Sequence, residues 1–299
     1  MNKGILYAIG AYLLWGVFPV YWKLIQTVPA VEIIAHRILW SFIFVNLVIL
    51  LSRQWRQLWQ LARQPRRLLP YVLMAALLGV NWLTYVWGVN AGYIVETSLG
   101  YFINPLVSVL MGVVFLRERL RSWQWVSVAL ATIGILYLTW QYGALPWIAL
   151  VLAFSFGTYG LIKKQGSLGA TQSFAAETGF MLLPALVYLV FLEINGRAAF
   201  AHSDPRTTFL LIFSGVATGL PLLLFGAGAR LIPLSSLGFL QYIAPTMQLM
   251  IGLLVYGEPF PQERLVGFGL IWVALGIFTV EGFQARRKRR ADLRANLPA

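Results

Sequence analysis

The chain has 299 residues, of which 59% are hydrophobic and only 11% are charged, whereas about 25% of the residues in an average soluble domain are charged. This composition excludes an ordinary soluble globular protein, because too few charges remain to cover its surface. The formal net charge of +13 resembles that of some nucleic-acid binders, but the basic residues cluster in short connections between apolar segments. We therefore expect the lipid bilayer as the solvent and no nucleic acid as a partner.

Apolar runs bounded by charges, proline or glycine predict ten transmembrane helices, because about 20 apolar residues cross the hydrocarbon core as a helix. The predicted spans cover residues 5–25, 31–52, 69–89, 94–116, 122–141, 146–162, 171–192, 207–229, 235–256 and 264–283. Two of these spans are weaker, since residues 146–162 are few and residues 94–116 contain Glu96, Asn104 and Pro105. A protein with eight or nine helices is the alternative.

The distribution of basic residues predicts that both termini lie in the cytoplasm. With this orientation, 18 Lys and Arg residues fall in cytoplasmic segments and 3 fall on the opposite side, as the positive-inside rule requires. An even number of spans follows from the same orientation. The last basic residues form a predicted cytoplasmic tail over residues 284–299.

The two halves of the chain are similar to each other at a displacement of about 140 residues. The run SLGY at residues 98–101 matches SLGF at residues 236–239, and Pro105 matches Pro245. Further matches pair Gly16 with Gly157, Lys23 with Lys164, Gly112 with Gly252, and Glu118 with Glu258, and they place Glu177 at the position equivalent to His36. The sequence therefore predicts an all-α membrane protein built from two five-helix repeats, residues 1–141 and residues 142–283.

Five spans per repeat is an odd number, so the second repeat must be inserted upside down relative to the first. Inverted repeats form many secondary transporters, with the substrate site near the midplane between the halves. Two such halves can exchange conformations and thereby open the site first to one side and then to the other. The alternative is a duplicated membrane scaffold without transport, acting as a sensor or an assembly partner.

Several stretches carry a resemblance to a known family: PAVEIIAHRILWSF at 29–42, SLGYFINPLVSVLMGVVFLRERLR at 98–121, SLGFLQYIAPT at 236–246 and YGE at 256–258. They resemble the RarD-type, chloramphenicol-sensitive proteins of the EamA family within the drug/metabolite transporter superfamily. The resemblance implies two EamA-type repeats, the bacterial inner membrane, and export of small metabolites or drugs. It leaves the substrate itself open.

Polar groups inside the membrane are costly and usually face the protein interior or a wet cavity, so they are the candidate site residues. His36 and Arg37 lie about five residues into the second span, one turn after Glu32. They predict either an anion-attracting group on the substrate path or an interfacial cluster paired with Glu32. Glu177 could bind a cationic substrate group or a coupling proton, or it could form a structural ion pair with a neighbouring helix.

The other candidates are an acidic residue, a tryptophan and several neutral hydrogen-bonding groups. Glu96 begins the fourth span, where a carboxylate either caps the helix or faces the substrate path. Trp15, in a helix that Pro19 can kink, could stack on a ligand or anchor the chain at the interface. Residues 104–105 and 244–245 are expected to break their helices and expose backbone groups to a cavity. The remaining predicted path residues are Asn81, Tyr85, Tyr101, Asn104, Gln241 and Tyr242.

Enzymatic signatures are missing from the sequence. The chain has no cysteine and only two histidines, His36 and His202, which are far apart. This pattern argues against disulfides, thiolate catalysis and a metal site, and no P-loop for an ATP-driven pump is present. We therefore expect a transporter of a small molecule rather than an enzyme, with no cofactor and no metal.

Overall fold

The computed structural model describes residues 3–56, 63–257 and 262–295. All regular secondary structure in these residues is helical. The helices are α1 (Lys3–Gly16), α2 (Phe18–Lys23), α3 (Ala30–Ser52), α4 (Pro65–Asn90), α5 (Ile94–Val114), α6 (Ser122–Tyr142), α7 (Trp147–Gln165), α8 (Ala170–Ile194), α9 (Pro205–Leu231), α10 (Leu234–Gln241), α11 (Ile243–Leu254) and α12 (Arg264–Ala295). The predicted all-α class is confirmed.

Nine segments of the described chain are long and apolar enough to cross a membrane. The pairs α1–α2 and α10–α11 each form one such segment, and the other seven are single helices. The predicted sixth span is α7, whose 19 residues would reach about 28 Å at about 1.5 Å per residue. Its last turn carries Lys163 and Lys164, which lower its mean hydropathy. The tenth span therefore stays a prediction.

The first span is interrupted beside the predicted kink. Helix α1 ends at Gly16 and α2 begins at Phe18, because Pro19 has no N–H to donate to the carbonyl of Trp15. The side-chain Nε2 of Gln248, in α11, donates to this carbonyl instead, at 3.0 Å. The hydrogen bond satisfies the backbone group that the proline leaves free, and it joins the two halves of the chain.

The expected helix break at residues 104–105 is wrong. Helix α5 continues through Pro105 from Ile94 to Val114, whereas the ninth span does divide at Tyr242, just before residues 244–245. A proline removes one backbone hydrogen bond, and a transmembrane helix tolerates this loss when neighbouring helices support it. Helix α10 packs closely against α5 at this point, since a Cβ on Gly238 would lie 2.7 Å from the carbonyl oxygen of Pro105.

Three pairs of helices pack antiparallel, and each pair joins the first half of the chain to the second. Helices α6 and α12 meet at opposite ends, with Arg121 bonded to Glu281 at 2.7 Å and Gln141 bonded to the carbonyl of Glu263 at 3.3 Å. Gln54, just after α3, is hydrogen-bonded to Gln172 near the start of α8. Helices α5 and α10 also run in opposite directions along their contact.

The last helix extends beyond the predicted membrane span. Helix α12 runs without interruption from Arg264 to Ala295, so the backbone of the predicted tail at residues 284–299 is helical as far as Ala295. A boundary at residue 284 therefore does not coincide with a helix end. The side chains of residues 286–299, and Glu258, which the repeat pairs with Glu118, lie outside the described residues.

Gly215 lies where α9 crosses α3, and a Cβ added to it would overlap the backbone of Trp40. Gly215→Ala should therefore lower the thermal unfolding temperature of the purified protein in detergent, since overpacking costs about 1–3 kcal/mol. Gly79→Ala is the matched control, because nothing lies within 4 Å of a Cβ added there. Equal melting temperatures for the two variants would contradict the tight crossing of α3 and α9.

Candidate substrate cavity

A cavity of about 260 Å³ lies between helices from both halves of the chain. It is slightly smaller than the pockets of about 300–1,000 Å³ that bind drug-sized ligands. The lining residues are Tyr12, Trp15, Phe18, Pro19, Trp22, Arg37, Asn81, Trp82, Tyr85, Val86, Gly100, Tyr101, Asn104, Leu152, Phe156, Leu222, Gln241, Ala244, Pro245 and Gln248. Seven of the predicted path residues are among them, namely Trp15, Arg37, Asn81, Tyr85, Tyr101, Asn104 and Gln241.

Aromatic rings form much of the cavity wall. The ring of Trp15 lies 5.7 Å from Tyr12, 5.8 Å from Phe156 and 5.7 Å from Phe225, measured between centroids. These separations are typical of favourable aromatic packing, so the neighbouring rings hold the indole of Trp15 in place. The cavity thereby gains a rigid apolar surface on which a small planar ligand can stack.

Amide side chains give the cavity its hydrogen-bonding groups. Asn81 donates from Nδ2 to the carbonyl of Leu152 and to Oγ of Ser155, both at 2.9 Å. Oδ1 of Asn104 is buried and has no hydrogen-bond partner among the described residues. Because a buried acceptor without a partner is costly, a donor on a ligand in the cavity would stabilise it.

Arg37 is the one charged side chain among the described lining residues. Its Nε donates to Oγ1 of Thr218 at 2.9 Å. Its guanidinium carbon lies 4.8 Å from the ring centre of Trp22 and 4.5 Å from that of Trp82, within the roughly 6 Å range of cation–π contacts. Two indoles and one hydroxyl thus position a cation at the cavity wall.

His36 lies outside the cavity lining, although it precedes Arg37 in the sequence. It is buried, its Nε2 is 3.8 Å from Oε1 of Glu32, and its ring centre is 4.8 Å from that of Phe200. The same Oε1 accepts hydrogen bonds from the backbone N–H groups of Ala199 and Phe200, at 2.7 and 3.3 Å. Glu32 and His36 therefore hold the segment between α8 and α9 against α3.

Glu96 also lies outside the cavity lining and contacts the start of α7. Its Oε1 accepts from the backbone N–H of Ile148 at 2.6 Å, and its Oε2 accepts from the hydroxyl of Tyr142 at 2.8 Å. A carboxylate is favourable at a helix N-terminus, because the first N–H groups have no partner within the helix. Glu96 thus caps a neighbouring helix instead of its own.

Glu177 is fully buried and does not line the cavity. It accepts hydrogen bonds from Nζ of Lys163 at 2.7 Å, Oγ of Ser173 at 2.5 Å and the hydroxyl of Tyr159 at 3.0 Å. Because Lys163 and Tyr159 belong to α7, the network joins α7 to α8. This geometry is the ion pair with a neighbouring helix that the sequence left open, and a role with a substrate or proton stays a prediction.

Tyr242 is the fourth predicted path residue outside the cavity lining. It lies at the division between α10 and α11, and its buried hydroxyl has no hydrogen-bond partner among the described residues. Its ring centre is 6.2 Å from that of Phe239. The residue packs in the core beside the cavity, so its role on the path also stays a prediction.

The sequence did not single out four residues that the structure brings to these sites. Trp22, Trp82 and Thr218 surround Arg37, and Lys163 pairs with Glu177. The two tryptophans carry no signal that separates them from interfacial tryptophans. Lys163 stands in the basic pair that ends α7, where a lysine is typical of a cytoplasmic loop.

A second recess of about 600 Å³ lies near Glu118, Arg119 and Arg121, beside α12. None of the predicted path residues lines it. Both oxygens of Glu118 are engaged there, because they accept from the N–H groups of Leu234 and Ser235 at 2.6 and 2.9 Å. The cavity around Arg37 is therefore the better candidate site.

Apolar helices of membrane-spanning length that enclose a cavity with a few polar groups define a multi-pass, all-α membrane protein. The EamA-like transporter family matches residues 2–140. The chain is 48% identical to the protein RarD of Streptomyces exfoliatus over 297 residues, covering 99% of this chain and 94% of that protein. It is 46% identical to the uncharacterized transporter YojE of Bacillus subtilis over 295 residues, covering 97% of this chain and 98% of that protein. The chain therefore belongs to the EamA-like transporter family, as a RarD-type member, which confirms the resemblance.

A solved crystal structure has a similar fold. It matches with a TM-score of 0.70 at 18% sequence identity, covering 93% of this chain and 98% of that chain. Such low identity shows the fold alone.

Removing one partner of the buried pair Lys163–Glu177 should destabilise the protein, since an uncompensated buried charge costs about 3–5 kcal/mol. We expect Lys163→Met and Glu177→Gln each to lower the thermal unfolding temperature in detergent. The double variant should be more stable than the sum of the two losses predicts, because it leaves neither charge unpaired. Strictly additive losses would show that the two side chains do not interact.

Proposed function

We propose that the protein is a secondary transporter that exports a small metabolite or drug by alternating access. The cavity around Arg37 carries this proposal. It has the size of a small ligand, it lies between helices of both halves, and its lining includes polar groups whose hydrogen bonds are incomplete. Membership of a transporter family supports the same activity and argues against an enzyme.

Equivalent helix contacts support two repeats of five spans. Helix α1 packs against α11, and its equivalent α7 packs against α5, the equivalent of α10–α11. A Cβ on Gly16 would lie 2.8 Å from Met247, and a Cβ on Gly157 would lie 2.7 Å from Val107. Gly157 follows Gly16 by 141 residues and Met247 follows Val107 by 140, so the two contacts are related by the repeat.

The directions of the helices support the inversion of the second repeat. Each antiparallel pair, α3 with α8, α5 with α10, and α6 with α12, joins a span to its equivalent five spans later. Equivalent spans that run in opposite directions must come from repeats inserted with opposite orientations. Ten spans, with α7 as the sixth, are the number that fits this arrangement.

The cavity would open to the outer side of the bacterial inner membrane if both termini are cytoplasmic. Arg37 and Tyr101 then lie near the outer ends of α3 and α5. The inner side is closed by Lys163 with Glu177, and by Lys164, whose Nζ donates to the carbonyls of Ala229 and Ile232 at 3.1 and 2.6 Å. These contacts support an outward-facing state, from which an exporter releases its cargo.

Transport would then require the inner contacts to open while the outer cavity closes. Because Glu177 is held by hydrogen bonds from three side chains, a proton that binds this carboxylate would weaken the inner closure. A coupling proton at Glu177 is therefore part of the proposal, and the seven predicted path residues that line the cavity would contact the substrate directly.

The orientation can be tested with single cysteines, because the chain has none of its own. In intact spheroplasts, a membrane-impermeant maleimide should label Ser203→Cys and Gln262→Cys. It should label Ser122→Cys and Ser167→Cys only after the cells are permeabilised. All four positions are exposed, so accessibility does not limit the reaction. The pair at 122 and 262 follows equivalent spans, and labelling of both from the same side would contradict the inverted repeat.

Filling the cavity should abolish transport without unfolding the protein. Ala244 lines the cavity, whereas Ala129 is exposed on α6. In proteoliposomes, counterflow of at least one substrate from a panel of radiolabelled amino acids, amphenicols and small organic acids is expected. Ala244→Phe should reduce this counterflow at least tenfold, and Ala129→Phe should leave it unchanged.

No counterflow of any compound by folded protein would argue for the sensor or assembly role instead. Equal counterflow by the two phenylalanine variants would show that substrates do not pass through this cavity.

A further inference from the structure

Arg37 places a permanent positive charge inside the membrane-spanning part of the protein. A guanidinium cannot lose its proton in a protein, and an intramembrane charge normally pairs with an opposite charge or marks a substrate path. Arg37 lies in α3, about two turns after the helix begins at Ala30. The groups around Arg37 must therefore stabilise this charge at the cavity wall.

The protein provides hydrogen-bond acceptors for only part of the Arg37 guanidinium. Its one hydrogen bond to the described residues runs from Nε to Thr218, and a guanidinium has five N–H donors. The four N–H groups on its two terminal nitrogens therefore have no acceptor among the described residues. The indoles of Trp22 and Trp82 contact the cation through their π-electrons and offer no oxygen acceptor.

No described carboxylate forms an ion pair with Arg37, and the buried carboxylates contact other groups. Glu32 binds the backbone of Ala199 and Phe200. Glu96 binds the backbone of α7, and Glu177 pairs with Lys163. No Asp or Glu occurs among the described lining residues of the cavity. The complementary negative charge is therefore absent from the described part of the protein.

We infer that the substrate is a small monocarboxylate with an aromatic or apolar body, whose carboxylate binds the terminal nitrogens of Arg37. This inference rests on the proposed transport function and names its substrate class. A guanidinium matches a carboxylate in geometry, because two parallel N–H groups can bind its two oxygens. Thr218 and the two indoles hold the guanidinium of Arg37 in one position, so its side chain loses little conformational entropy when a ligand binds.

The rest of the cavity fits the body of such a molecule. Its lining is mostly aromatic and aliphatic, and its volume of about 260 Å³ suits a ligand below drug size. Trp15 is held by surrounding rings and can stack on an aromatic group. Oδ1 of Asn104 can accept from a hydroxyl of the ligand. A cationic or zwitterionic body would find no acidic side chain in this lining.

Binding of 3-phenyllactate, its neutral amide and 2-phenylethylamine to the full-length protein in nanodiscs tests the inference. The three probes share a phenyl ring and differ in charge, and isothermal titration calorimetry gives each dissociation constant. Phenyllactate is expected to bind at least roughly tenfold more tightly than the amide, as a charge-assisted bidentate pair implies. Equal affinities for the acid and the amide would overturn the inference, and this comparison needs no variant.

Variants of Arg37 test the assigned side chain. Arg37→Gln should remove the preference for the acid over the amide, and Arg37→Lys should keep part of it, since lysine retains the charge without the fork. Arg206→Gln is the matched control, because Arg206 is exposed at the start of α9. An unchanged preference in Arg37→Gln would overturn the assignment of the carboxylate to Arg37.

Counterflow of the same probes separates this inference from the proposed function. Counterflow of phenylethylamine or chloramphenicol without phenyllactate would support transport and overturn the inferred substrate class. Arg37-dependent binding of phenyllactate without counterflow of any probe would support anion recognition and overturn transport. Arg37-dependent counterflow of phenyllactate would support both.

Discussion

The bilayer interior offers no hydrogen-bond partners, so the protein itself must satisfy the polar groups that it places there. Two carboxylates, one buried and one partly buried, meet this constraint by joining separate helices. Glu96 binds the first turn of α7, and Glu118 binds the first N–H groups of α10. Both of these carboxylates belong to the first half of the chain and hold a helix start in the second half. Hydrogen bonds from backbone N–H groups to these carboxylates therefore help to set how the two halves pack together. Apolar packing between closely spaced helices completes the fold.

The same constraint distinguishes the cavity from the rest of the interior. At Arg37 and Asn104 the described protein leaves hydrogen-bonding capacity unused, and both residues line the same space. Groups that would be costly in a closed core are reasonable where water or a substrate completes their contacts. Asymmetry between the halves fits this interpretation. Glu177 is enclosed by an ion pair with Lys163. His36, which the predicted repeat places at the equivalent position, has no hydrogen-bond partner for its ring nitrogens among the described residues.

The all-α membrane class could be predicted, because it depends on composition and on the order of apolar runs along the chain, and seven of the predicted path residues line the cavity. The repeat and the role of the path residues stay predictions. His36 and Arg37 show why the rest of the site could not be predicted. Neighbouring residues on a helix point about 100° apart, so Arg37 reaches the cavity while His36 packs against Phe200. In a span that is apolar on every side, no periodicity reveals which face turns inward. Likewise, Lys163 ends an apolar run, and only the packing of α8 beside it brings Glu177 within reach.

The central claim is that the cavity around Arg37 faces outward in this structure and binds the substrate. A single cysteine in place of Tyr101, which lines this cavity, tests the claim most directly. Its reaction rate with a membrane-impermeant thiosulfonate can be measured from each side of proteoliposomes that hold the protein in one orientation. Fast modification from the outer side, slowed by phenyllactate, together with slow modification from the inner side, is expected. Modification from the inner side alone, or an outer rate that phenyllactate leaves unchanged, would contradict the claim.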